Sequence, residues 1–120
     1  MDNARRGDVD AVFDGQNYTL RLTLGALAEL ETAFGADDLV ALAGRFEGGR
    51  LSSRDLLRVI AAGVRGGGSD LGDDEIARMS MEGGVPAYVK LASDLLVAAL
   101  AHQRKAYRTL RGRRTPRSKG

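Results

Sequence analysis

Near its start the chain alternates apolar and polar side chains twice. In residues 8–13, DVDAVF, Val9, Ala11 and Phe13 fall on one side of an extended strand and Asp8 and Asp10 on the other, with Val12 breaking the pattern. From Tyr18 the alternation resumes, Leu20, Leu22 and Leu24 being separated by Arg21 and Thr23. Asp14-Gly15 lies between the two runs and tolerates positive φ, so the pattern predicts a β-hairpin with a loop of two to four residues. At Thr23 the period changes from 2 to 3.6, and Leu27, Leu30 and Phe34 follow at i, i+3 and i+7. Thr23 is placed to cap that helix and Gly35 to end it in the left-handed region. The stretch Tyr18 to Gly35 therefore reads as the unit around which the rest is arranged.

Four further helices follow from the same spacing. Asp37 stands where it can cap a short one carrying Leu39, Leu42 and Phe46, which Gly48-Gly49 stops. Ser52-x-x-Asp55 is a capping-box pattern, with Leu51 and Leu56 as its hydrophobic staple. Leu56, Ile60 and Val64 form that helix's inward stripe until Gly66-Gly67-Gly68. Asp73 or Asp74 suits the positive end of a short helix with Ile76 and Met79, ended by Gly83-Gly84. Pro86 then opens the longest helix, from about Val85 to about Arg111. Tyr88, Leu91, Ala92, Leu95 and Ala99 mark its buried side, widened by Leu96 and Leu100. The expected architecture is α+β and mostly helical: an N-terminal hairpin, then about five helices, the last one long. Residues 1–111 form a single domain, and 112–120 a disordered basic tail.

With 120 residues the chain has room for one core. It has no cysteine, which removes disulfides, thiolate metal sites and a cysteine nucleophile and fits a cytoplasmic setting. MDNARRGDVD has no apolar export segment, and no apolar run is expected to approach the roughly 18 residues of a membrane span. The net charge of +2 conceals a division. Residues 1–101 carry all 16 acidic side chains against 10 basic ones, whereas residues 102–120 carry 8 basic and no acidic ones.

The catalytic inventory is nearly empty. His102 is the sole histidine, and no serine or aspartate pattern around it marks a nucleophile and its base, so no enzyme and no cofactor is expected. Asp70, Asp73, Asp74 and Glu75 miss the spacing of a calcium loop and read as helix caps, with no metal site. Gly63 to Gly68, GVRGGG, follows a helix and lacks the lysine of a phosphate loop, so it reads as a flexible linker. Two surfaces remain as candidates for a partner. Met79 and Met81 sit near a break, and methionine adapts to varied helices. Arg104, Arg108 and Arg111 share a helical face on the basic end, which reads as a protein-binding or solvated tail, the acidic domain behind it repelling phosphate.

RLTLGALAELETAFG at 21–35, RFEGGRLSSRDLLRVIAAGVRGGG at 45–68 and the acidic DDEIARM segment at 73–79 together resemble the small tail assembly chaperone family of gene transfer agents and phage tail operons. The resemblance covers about residues 7–100 and implies a non-enzymatic role. Such chaperones bind the tape measure protein, help recruit tail tube subunits, and are absent from the finished particle. The implied partners are the tape measure and tail tube proteins, with a homo-oligomer as a further option. The alternative drawn from the residues is a small nucleic-acid-binding regulator that uses the basic C-terminal helix and arm.

Overall fold

The computed structural model describes residues 7–47 and 51–118, without the side chains of residues 47 and 103–118. Strands β1 (Asp8–Phe13) and β2 (Gln16–Arg21) pair antiparallel, Val9 opposite Leu20 and Phe13 opposite Gln16. The loop is two residues long, with Asp14 at φ 52° and Gly15 at φ 78°, the double positive φ that lets a tight turn follow the twist of its strands. One face of the hairpin, Ala11, Phe13 and Leu20, is buried. At the open end the Arg21 guanidinium grips Asp8 with two nitrogens, Nη2 to Oδ2 at 3.0 Å, and Asp8 is only 5% exposed. Its hydrogen bond and charge hold Arg21 above the ordinary arginine value.

Helix α1 (Leu24–Phe34) starts where the period changes. Thr23 Oγ1 accepts the Ala26 N–H at 3.1 Å, and Gly35 ends the helix at φ 66°. Helix α2 (Leu39–Glu47) is capped by Asp38, whose Oδ1 accepts the Ala41 N–H at 2.8 Å. The cap is Asp38 and not the expected Asp37, because it falls on the residue immediately before the first helical one, Leu39. Phe34 and Phe46 lock the two helices together with ring centroids 5.8 Å apart. The expected stop at Gly48-Gly49 lies outside the described residues.

Helix α3 (Ser53–Gly66) carries the complete capping box: Ser52 Oγ accepts the Asp55 N–H at 3.1 Å, and Asp55 Oδ2 accepts the Ser52 N–H at 3.2 Å. Leu56 is buried in the core and Leu51 packs against it. Ser52→Ala is expected to cost about 1 kcal/mol, read as a lower urea midpoint at unchanged slope.

α3 packs beside the stretch Tyr18 to Gly35 at the centre of the fold. It touches β2, α1, and the two helices that follow, and seven of its residues are buried. Its small residues are what permit this. An added Cβ on Gly63 would meet Leu95 and Leu20 side-chain atoms at 3.0 and 3.2 Å, and Cβ atoms on Gly66 and Gly67 would run into the backbone carbonyls of Arg21 and Thr19. The GVRGGG segment is therefore a packing seam against β2, correcting the expectation of a flexible linker.

Helix α4 (Asp73–Arg78) begins with Glu75 Oε1 accepting the Gly72 N–H at 3.0 Å and buries Ile76. It ends at Arg78, ahead of Gly83-Gly84, because Met79 is already extended. Helix α5 (Gly84–Ser118) lays Leu91, Ala92, Leu95, Leu96 and Ala99 against the hairpin and α3. Its backbone stays helical seven residues beyond Arg111, through the stretch expected to be a disordered tail. Lys119 and Gly120 lie outside the described residues.

One expectation about membranes needs correction. Gly84–His102 spans 19 residues at mean hydropathy 1.4 and is long and apolar enough to cross a membrane by length and composition. Here one stripe of it closes the core, and its two charged side chains, Lys90 and Asp94, pair with each other at 2.9 Å.

Candidate functional site

The candidate site is an apolar groove where α3, α4 and the first turns of α5 converge. The capping box fixes where α3 begins, so that Ser53, Leu56, Leu57 and Ile60 present one continuous wall. Ile76 and Ala77 of α4 form the other wall, and Met79, Val85 and Tyr88 close the end. The groove encloses about 320 Å³. Leu56, Ile60 and Ile76 form its floor as part of the core, while Leu57, Met79 and Tyr88 are half-buried and Val85 is 65% exposed.

Tyr88 ties the groove to the hairpin. Its ring stacks on Phe13 at 6.2 Å, and its hydroxyl donates to the Met79 carbonyl at 2.9 Å. Burial, helped by the Asp14 carboxylate, pushes its phenol above the usual tyrosine value, with a hydrogen bond from the Met81 backbone acting the other way. The folded chain therefore holds this proton more tightly than the unfolded chain does. The resulting stabilisation is complete below the unfolded value near pH ~10 and is lost as pH rises through the folded value. Urea titrations between about pH 8 and pH 11 should show this alkaline loss, and Tyr88→Phe should flatten it while costing about 1 kcal/mol at neutral pH.

No buried side-chain nitrogen or oxygen among the described residues lacks a partner, and no cluster of histidine and carboxylate groups there could hold a metal ion. The groove offers shape and apolar contact. A second cleft of about 270 Å³, lined by Gly7, Arg21, Leu22, Thr23, Leu24, Ala99 and His102, has its guanidinium already engaged by Asp8.

The structure brings Met79 into the groove. Met81 lies two residues on, half-buried against the core and off the lining, its carbonyl accepting the Gly84 N–H at 3.1 Å. Arg104, Arg108 and Arg111 lie on the helical backbone of α5, their side chains outside the described residues. Leu57, Val85 and Tyr88 were not among the sequence candidates. Leu57 left one signal: with Leu56 and Ile60 it makes the apolar stripe of α3 wider than a single core contact needs.

A family model described as phage tail tube protein, GTA-gp10, matches residues 6–102. No curated protein and no solved structure matches the chain.

Proposed function

This chain belongs to the family described as phage tail tube protein, GTA-gp10, and from that premise we propose that it is a tail assembly chaperone. In this reading it binds the tape measure protein, helps bring tail tube subunits to it, and is left out of the finished particle. It acts in the cytoplasm of the producing bacterial cell, by binding alone, with no covalent step and no cofactor.

The observation that supports this reading best is the groove of α3, α4 and α5, which is open, apolar and free of unpaired buried polar groups. Such a surface accepts the apolar face of a helix. A groove of this size engages only a few side chains, which suits an affinity modest enough for tube subunits to displace the chaperone.

The family's description favours a second reading, a subunit of the tail tube itself. Two experiments separate them. Co-expression with the tape measure protein of its own gene cluster should yield a complex and raise that protein's solubility; no complex and no gain would end the chaperone reading. Mass spectrometry of purified particles should find the chain missing, whereas a stoichiometric ring component would mean a tube subunit.

A further inference from the structure

We infer that the groove takes an amphipathic helix whose apolar stripe is flanked on one side by acidic residues, and that these residues lie against Arg54 and Arg58. The inference rests on the reading of the chain as a helix-binding assembly factor and names the surface and charge pattern used.

The lining sets the length of the occupant. From Ser53 to Ile60 the α3 wall runs about 10 Å, two helical turns, so a partner stripe of apolar residues at i, i+3 and i+7 fits along it. The lining excludes a polar small molecule. The Tyr88 hydroxyl is already donated to Met79, and the other walls are aliphatic apart from Ser53 at the rim.

Charge sets the flank. Helical geometry places Arg54 and Arg58 about 60° and 100° around α3 from Leu57, just outside the groove wall. Both are exposed, and they stand four residues apart, where like charges repel. Among the described residues neither forms an ion pair or side-chain hydrogen bond, whereas Arg21, Arg45, Arg65 and Lys90 each have a carboxylate. Arg78 is also without an ion pair, and it stands about 100° around α4 from Ala77, on the opposite bank of the groove. On the opposite bank Asp73 is taken by Arg65 and Glu75 by the Gly72 N–H. Asp74, about 60° beyond Ala77, is left facing solvent. The groove thus has a doubly cationic bank on α3 and, on α4, a bank where the charges of Asp74 and Arg78 offset each other. A helix with an acidic flank satisfies the first, and the balanced second bank leaves the preference to Arg54 and Arg58.

The test uses the full-length chain and two labelled 18-residue helical peptides with leucines at i, i+3 and i+7. One carries glutamates along one flank and glutamines along the other; its counterpart has lysines in place of the glutamates. Fluorescence anisotropy should show the glutamate peptide binding about tenfold tighter at low salt, the gap closing toward 1 M salt. Arg54→Glu/Arg58→Glu should reverse the preference without loss of folding, since acidic residues suit the first turns of a helix. Val85→Lys, at an exposed position, should weaken both peptides at least tenfold. Equal binding of the two peptides, an unreversed preference, or a Val85→Lys variant that binds like the parent would each overturn the inference. Failure here is distinguishable from failure of the chaperone reading. If the tape measure protein co-purifies equally with parent and Arg54→Glu/Arg58→Glu chains, the groove assignment falls and the chaperone reading stands. If it never co-purifies while the peptides behave as expected, the groove assignment stands and the chaperone reading falls.

Discussion

Gly67→Ala is expected to lower stability by about 3 kcal/mol, and Gly66→Ala by a similar amount. Alanine usually stabilises a helix relative to glycine, and Gly67 sits at φ −83°, a conformation any residue adopts, so backbone preference alone argues for no loss. Packing overrides it. The new methyl groups would collide with the carbonyls of Thr19 and Arg21, and backbone cannot swing aside as the end of a long side chain can. Relief requires α3 to draw back from β2, which loosens Leu20 from Gly63. Gly44→Ala is the matched control. Gly44 lies inside α2 with open space where the methyl would go, so the same change there should stabilise by about 0.5–1 kcal/mol. Urea denaturation of the two variants should move the midpoint in opposite directions. A Gly67→Ala midpoint at or above the parent's would show that α3 does not rest on β2 as described.

That seam shows why some of the fold was legible in the sequence and some was not. Caps and turns are decided by neighbours within four residues, so Thr23, Gly35, Asp14-Gly15 and the Ser52–Asp55 box could be read directly. Periodicity likewise exposed Leu27, Leu30, Leu42, Leu91 and Leu95 as core. The tight fit of Gly66 and Gly67 joins residues more than forty positions apart, and in a sequence a glycine kept for contact looks the same as one kept for flexibility. The groove was hidden for a related reason. Met79 is legible as an adaptable side chain near a break, but Leu57, Val85 and Tyr88 become its neighbours only where α3, α4 and α5 converge. Arg54 and Arg58 could be seen as a charged pair. Their lack of acidic partners emerged only once Asp55, Asp73 and Glu75 were each found engaged elsewhere.

Leu27→Asp should unfold the domain outright. Leu27 is 1% exposed, on the face of α1 that meets α2 and α3. Removing a buried leucine costs about 2–5 kcal/mol, and a carboxylate left there without a partner adds several more, together comparable to the roughly 5–15 kcal/mol that holds a whole domain folded. Protonation does not rescue it, because the neutral acid still buries hydrogen-bonding groups among aliphatic carbons. Three residues earlier, Leu24 supplies the contrast. It is 68% exposed and opens the first turn of α1, where a negative charge favours the positive end of the helix. Leu24→Asp should therefore fold normally, with a midpoint within about 0.5 kcal/mol of the parent's. Circular dichroism and thermal melting of the two variants decide the point: a cooperative melt in Leu27→Asp would mean that α1 does not pack with that side inward. The groove would shift with it, since α1 packs against α3, and α3 supplies the groove wall and the cationic bank.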